Sequence, residues 1–349
     1  SAHNLLAAML FLLGVALIYG VTGTLNMADL ARRMAGLAAE DRALLEAGLA
    51  VLGVAFLVKA AMWPVGFWLP ATYAAASAPA AAILSVLSKV GAYAVLRLWL
   101  LLFGDAAGGF GGAWLTAGGL LTIAFGSAAV LAAQNMARLA GASVLVSSGT
   151  LLAAVGAGQA AVTSGALFYL ASSVPAIAAL FLLVELVERG RDVGADVLAV
   201  TREAFGEDDD ADNEEEVGVA IPAAMAVLGL GFVGCALLLA GLPPLSGFLA
   251  KFAMLAPLFA AGGGGVSAAA WTLMAALILS GLATVVAMAR AGIDAFWASP
   301  AADVPRVRVV EVAPVALLLA LCAGLTVLAG PVMGYMEAAA RSLHAPQGY

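Results

Sequence analysis

Long apolar stretches dominate the chain, separated by short polar or proline-containing segments. Hydropathy and helix breakers place apolar spans near 3–23, 44–63, 79–103, 113–133, 137–157, 161–186, 219–242, 245–262, 268–290 and 311–336. Most reach the ~20 residues that a helix needs to cross a bilayer. Two are interrupted. The span 44–63 ends at Trp63-Pro64 and runs into a short amphipathic piece, Val65 to Ala76. The span 245–262 follows Pro243-Pro244 directly and reads as the second half of one broken helix. The pattern predicts an all-α polytopic membrane protein with about nine transmembrane helices, two of them broken. Between them, 24–43 reads as a polar helical segment, 187–218 as a long exposed charged loop, and 291–310 as a second charged loop.

Composition agrees. Of 349 residues, 64% are hydrophobic and 11% charged, against about 45–50% apolar and about 25% charged in a soluble domain. This excludes a soluble enzyme, a nucleic-acid binder and a disordered chain. The net charge of −7 says little about partners, because eight acidic residues fall in the one run Glu207 to Glu216. With nine crossings, Arg138, Arg189, Arg191, Arg202, Arg290, Arg306 and Arg308 share one side, and Arg32, Arg33, Arg42 and Arg341 the other. The positive-inside rule makes the first side cytoplasmic. The segment Leu5 to Val21 has no basic region before it and no small-residue cleavage pattern after it, so it reads as a true span and not a signal peptide. The chain is expected to be the C-terminal portion of a longer one.

The chemistry narrows to few residues. Cys235 and Cys322 lie in apolar segments, His3 and His344 lie near the ends, and no cofactor-binding or metal-ligand pattern is present. The three lysines, Lys59, Lys89 and Lys251, all fall inside apolar stretches. Each costs about 2.5–3.5 kcal/mol at the centre of a membrane helix. Lys59 and Lys251 lie close enough to helix ends to snorkel, whereas Lys89 sits near the middle of its span. A buried amine that gains and loses a proton as its surroundings change suits a pump or antiporter. No Asp or Glu lies in the middle of any span. An unpaired buried ammonium is costly, so the balancing acid is expected from outside this sequence.

The two breaks have similar surroundings: Pro64 with Gly66-Phe67, and Pro243-Pro244 with Gly247-Phe248, each near a lysine. Broken backbone at membrane depth must be buried in protein or line a wet cavity, and matched interruptions point to an ion pathway. Ser88, Ser147, Ser148 and Thr150 could relay protons through hydroxyls or water, although such residues often bond their own backbone.

The runs Phe56-Leu-Val-Lys59, Trp68-Leu-Pro70, Ser88-Lys89-Val-Gly-Ala-Tyr-Ala-Val-Leu-Arg97 and Pro243-Pro-Leu-Ser-Gly-Phe-Leu-Ala-Lys251 carry a resemblance. The chain resembles the proton-pumping antiporter family, which joins the large subunits of Mrp-type cation/proton antiporters to the antiporter-like subunits of respiratory complex I. The stretch Gly20 to Leu30 and the acidic run before Val217 to Pro222 are most similar to the D subunits of the Mrp group.

The resemblance implies fourteen helices in two inverted five-helix repeats, with the seventh and twelfth broken. This chain would begin at the sixth, and Lys59, Lys89 and Lys251 would match the lysines of the seventh, eighth and twelfth helices. In the family these belong to a chain of protonatable groups along the membrane plane. A fifth-helix glutamate pairs with the first of them. Residues 1–103 would complete the first repeat, 104–290 form the second, and 291–349 hold a loop, the last helix and the tail. Several relatives carry an ionisable His or Lys on the tenth helix, where this chain has Ser147-Ser148.

The implied function is a membrane subunit of a multisubunit antiporter. It would pass protons through these lysines against Na+ or another monovalent cation, without a cofactor, beside other subunits in a bacterial inner membrane. The alternatives are an antiporter-like subunit of NADH-quinone oxidoreductase and a scaffold subunit whose lysines only pair structurally.

Overall fold

A computed structural model describes residues 2–34, 36–103, 110–205, 223–260, 266–296 and 308–345. Helix α1 (Ala2–Thr22) is followed by the short α2 (Met27–Met34) and by α3 (Ala39–Lys59). The predicted polar segment 24–43 is thus one short helix and the start of α3. Asn26 begins α2 by accepting from the amide of Ala28 at 3.0 Å, and Asp29 pairs with Arg33 at 2.8 Å. A 3-10 turn (Val65–Trp68) and α4 (Leu69–Ala74) form the amphipathic piece after the first break.

Helices α5 (Ala78–Phe103), α6 (Phe110–Ala132) and α7 (Met136–Gly156) follow the predicted spans closely. So do α9 (Ala223–Ala240), α10 (Ser246–Ala260) and the start of α11 (Ala268–Phe296). Among the described residues, seven helices are long and apolar enough to cross a membrane, and Ala224–Ala240 and Ser246–Ala260 are shorter apolar helices.

Two boundaries differ from expectation. Helix α8 (Ala160–Phe205) continues through 187–205, where a loop was predicted. Charge ends an apolar span, but Glu, Arg, Ala, Leu and Val remain competent helix formers. The rest of that predicted loop, and of 291–310 beyond Phe296, lies mostly outside the described residues. The single predicted span 311–336 is two helices, α12 (Val309–Val327) and α13 (Ala329–His344). Pro331 explains the division. It has no N–H for the carbonyl of Val327, and its ring crowds that carbonyl; Pro331 sits in the first turn of the new helix, where neither matters.

Helix α7 is the axis of the molecule. Asn135 caps it, its side-chain oxygen accepting from the Arg138 amide at 2.8 Å. Every α7 residue except Ala137 and Arg138 is buried. Small residues allow this, as in membrane helix pairs generally. A methyl at Gly126 would meet Val146 N at 2.8 Å, and one at Gly149 would meet Ile123 N at 2.7 Å, so α6 and α7 touch backbone to backbone. Arg290 of α11 ties off the other end of α6, donating to the carbonyls of Leu131 at 2.9 Å and Ala133 at 2.8 Å.

Candidate functional site

Both broken helices end in the same way. In the first, Ala61 adopts φ +57, its amide bonds Val58 O at 3.2 Å, and the Met62 amide reaches back to Leu57 O at 3.1 Å. In the second, Gly241 adopts φ +74 and the Leu242 amide reaches back to Leu237 O at 3.1 Å. This is the Schellman closure of a helix C-terminus, and the two copies stand 180 positions apart. A cis proline follows each, at Trp63-Pro64 and at Pro243-Pro244. The chain then turns back tightly. A methyl on Gly66 would run into Ala61 O, and one on Gly247 into Leu238 O.

A neighbouring helix packs a glycine on each break, Gly91 of α5 against Ala60 N at 3.0 Å and Gly281 of α11 against Ala240 O at 2.8 Å (distances from a built Cβ). The first break is also held by Thr122 of α6, whose hydroxyl accepts from the Trp63 amide at 2.9 Å.

Ala61 is the only non-glycine with positive φ among the described residues, and it is fully buried. The left-handed conformation costs an L-residue roughly 1–2 kcal/mol. Ala61→Gly would relieve that but lose a methyl worth about 0.8 kcal/mol of burial, so it should be near neutral. Ala61→Val, β-branched at positive φ, should lower stability by about 1–3 kcal/mol. The thermal unfolding midpoint of the detergent-purified chain checks both.

The three lysines have different surroundings. Lys89, near the middle of α5, is 2% exposed, and its ammonium lies 3.5 Å from Ser148 Oγ of α7, at the long edge of hydrogen bonding. Lys251, five residues into α10, is 8% exposed. Its Nζ points back to the end of α9, at 2.9 Å from Ala240 O and 3.5 Å from Leu239 O. Lys59 is the one of the two end-placed lysines whose head lies outside the protein interior. It is exposed at the C-terminal end of α3 and donates to Asn4 Oδ1 of α1 at 3.1 Å. The ion pairs seen among the described residues, Asp29 with Arg32 and Arg33 and Glu46 with Arg42, include no lysine.

The expected hydroxyls are all buried, and only some face one another. Ser88 bonds Tyr73 OH at 2.6 Å, and since Tyr73 donates to Leu84 O at 2.7 Å, Ser88 is the donor. Thr150 gives its proton to Val146 O at 2.9 Å. Ser148 faces Lys89. Ser147 Oγ is buried beside the Tyr169 hydroxyl without a hydrogen bond of good geometry, which is costly unless the two draw together or water enters. Pro64, Pro243 and Pro244 sit at the exposed corners of the breaks, while Gly247 is buried.

Sequence reasoning missed two groups, Tyr169 and Tyr73. Tyr169 of α8 is buried facing Ser147 and Thr150. Ser172, one turn further along α8, bonds Ser246 Oγ at the start of α10 at 2.8 Å. Tyr73 carries the bond to Ser88. The spacing Tyr169-Leu-Ala-Ser172 places both α8 hydroxyls on one helical face, a signal that could have been read. These groups make separate hydroxyl contacts: Ser88 with Tyr73, Tyr169 beside Ser147 and Thr150, and Ser172 with Ser246.

Residues 2–282 match the family described as NADH:quinone oxidoreductase/Mrp antiporter, TM. The D subunit of a probable K(+)/H(+) antiporter from Rhizobium meliloti is 61% identical, over 99% of this chain and 65% of that protein. The N subunit of NADH-quinone oxidoreductase from Thermobifida fusca is 31% identical, over 93% of this chain and 56% of that protein. The chain therefore spans less than two thirds of the length of these relatives. A solved Mrp complex from Dietzia sp. contains a chain of the same fold, with TM-score 0.76 and 22% identity, covering 99% of this chain and 67% of that one.

Proposed function

The chain belongs to the NADH:quinone oxidoreductase/Mrp antiporter transmembrane family, and on that premise we propose that it is a membrane subunit of a multisubunit monovalent cation/proton antiporter. It works in a bacterial inner membrane beside other subunits of the complex. Protons pass through Lys89 and Lys251, with Lys59 at the first break, against an outward-moving monovalent cation. Potassium is the cation suggested by the relative that is 61% identical; Na+ is its competitor in the assay below.

The observation that carries the reading is Lys89, a lysine buried in mid-membrane with a hydroxyl as its nearest polar partner. Such a residue is expensive to keep, and structural packing alone gives it no reason to remain. Ser88, Ser147, Ser148 and Thr150, with Tyr169 and water at the Ser147 Oγ, carry the proton where relatives use an ionisable tenth-helix residue. The acid balancing Lys59 comes from another segment or subunit, since the described residues bring only Asn4 to its ammonium. The matched Schellman closures 180 positions apart support two repeats, divided near residue 103 and ending near residue 290.

The test uses everted membrane vesicles holding the full-length chain in its assembled complex, with a respiration-generated pH gradient. Adding K+ or Na+ should dissipate the gradient, and removing this subunit should abolish the response. A cation response that persists without it would sink the proposal. The second reading, a proton-pumping subunit of NADH-quinone oxidoreductase, rests on the similarity to an N subunit across 93% of this chain. Co-purification of NADH-oxidising, iron–sulfur partners would favour it.

A further inference from the structure

We infer that the last carbonyls of α9 form a binding site for a dehydrated monovalent alkali cation, which the ammonium of Lys251 occupies as a tethered competitor. The inference rests on the antiport reading above and locates one cation site within it.

A helix leaves its last four carbonyls without intrahelical donors. At the end of α9, Leu237 O is satisfied by the amides of Gly241 and Leu242, both at 3.1 Å. Leu238 O packs against the Gly247 backbone. Leu239 O and Ala240 O take Lys251 Nζ. The helix dipole makes this end negative, and half-helix C-termini of broken helices are where transporters coordinate cations. Neutral carbonyls without a carboxylate suit a monovalent ion, since divalent cations draw on carboxylates and retained water.

Two glycines keep the space open. A methyl on Gly241 would stand 2.8 Å from Lys251 Nζ, and one on Gly281 would stand 2.8 Å from Ala240 O and 4.0 Å from Nζ. On the same face of α11 as Gly281, buried Thr284 gives its hydroxyl proton to Ser280 O at 2.8 Å, leaving only acceptor lone pairs. The first break has no such tether, because Lys59 turns to Asn4.

An ammonium and an alkali cation cannot share these oxygens. Cation entry therefore requires the lysine head to leave or to give up its proton, so one positive charge departs as another arrives. Where the lysine gives up its proton, exchange of a proton for a cation becomes a property of one site.

The experiment measures binding of radioactive rubidium and sodium to the purified complex carrying the full-length chain. If the ammonium fills the cradle in all but about a tenth of the molecules, Lys251→Met tightens apparent cation affinity about tenfold, even though exchange stops. Unchanged or weaker binding in Lys251→Met overturns the inference. Gly281→Ala, whose methyl would crowd Ala240 O at 2.8 Å and stand only in ordinary contact with Lys251 Nζ at 4.0 Å, should weaken cation binding severalfold; wild-type affinity there overturns it as well. Exchange surviving Lys89→Ala would remove the proton-path reading but would leave both binding results unchanged, so the two failures are distinguishable.

Discussion

Lys89→Ala, placed in the full-length chain of the assembled complex, is expected to lower cation–proton exchange by about a hundredfold or more while the complex still forms. A positioned proton-transfer group contributes about 10²–10⁴ in rate, and the proposed path has no second amine within α5. The effect on stability should be small, and this separates the outcome from misfolding. Breaking a buried ion pair costs 3–5 kcal/mol because it strands the partner charge. Lys89 has only a hydroxyl at 3.5 Å, so its removal strands no carboxylate among the described residues. The lost packing of the aliphatic stem, about 0.8 kcal/mol per CH₂, is offset by no longer burying a charge. The readout is dye-reported collapse of a pH gradient on cation addition, normalised to the amount of subunit in the membrane. Exchange at the wild-type rate would make Lys89 structural and favour the scaffold alternative.

Gly247→Ala should be as damaging by another route. Its methyl would run into the carbonyl of Leu238, as one at Gly66 would run into that of Ala61. The Ala61 carbonyl shares its peptide plane with the Met62 amide that closes the first break, and the Leu238 carbonyl belongs to the last turn of α9; overpacking in a fixed core costs typically 1–3 kcal/mol, occasionally more. Both variants should therefore deplete the assembled complex from membrane extracts and lower its unfolding midpoint. Gly324→Ala and Gly334→Ala are the controls. Both lie within helices, with nothing within 4 Å of the added methyl, and alanine is the better helix former by ~1 kcal/mol. If Gly247→Ala assembled as well as these controls, the tight return at the second break would have no structural weight.

The apolar spans were legible because twenty apolar residues in a row have few other fates. Hydropathy reports the solvent around a helix, however, and not where its backbone ends. For that reason α8 runs on to Phe205 through charged residues, and α12 and α13 divide inside an apolar run at Leu328, just ahead of Pro331. Burial of Lys89 and Lys251 could be anticipated, but not what they face. Lys251 turns back eleven residues to Ala240 O, and Lys59 meets Asn4 fifty-five residues away. The tertiary path decides such contacts, and no local spacing encodes them. Tyr169 was missed for a simpler reason: a tyrosine in an apolar run looks like core until the hydroxyls opposite it are known.

The enclosure of α7 bears on how the bilayer can influence the protein. Lipid thickness acts on helices through mismatch, at fractions of a kcal/mol per Å, and only where a helix meets acyl chains. Exposed apolar faces of this chain include those of α1 with Leu5, Leu6 and Met9, α11 with Ile278 and Leu282, and α12 with Leu317 and Leu321. Helix α7, jacketed by protein along nearly its whole length, does not register the bilayer directly. Lengthening or shortening the lipid tails would reseat those exposed faces, while the medium around Ser147 and Ser148 would remain one that the protein itself supplies.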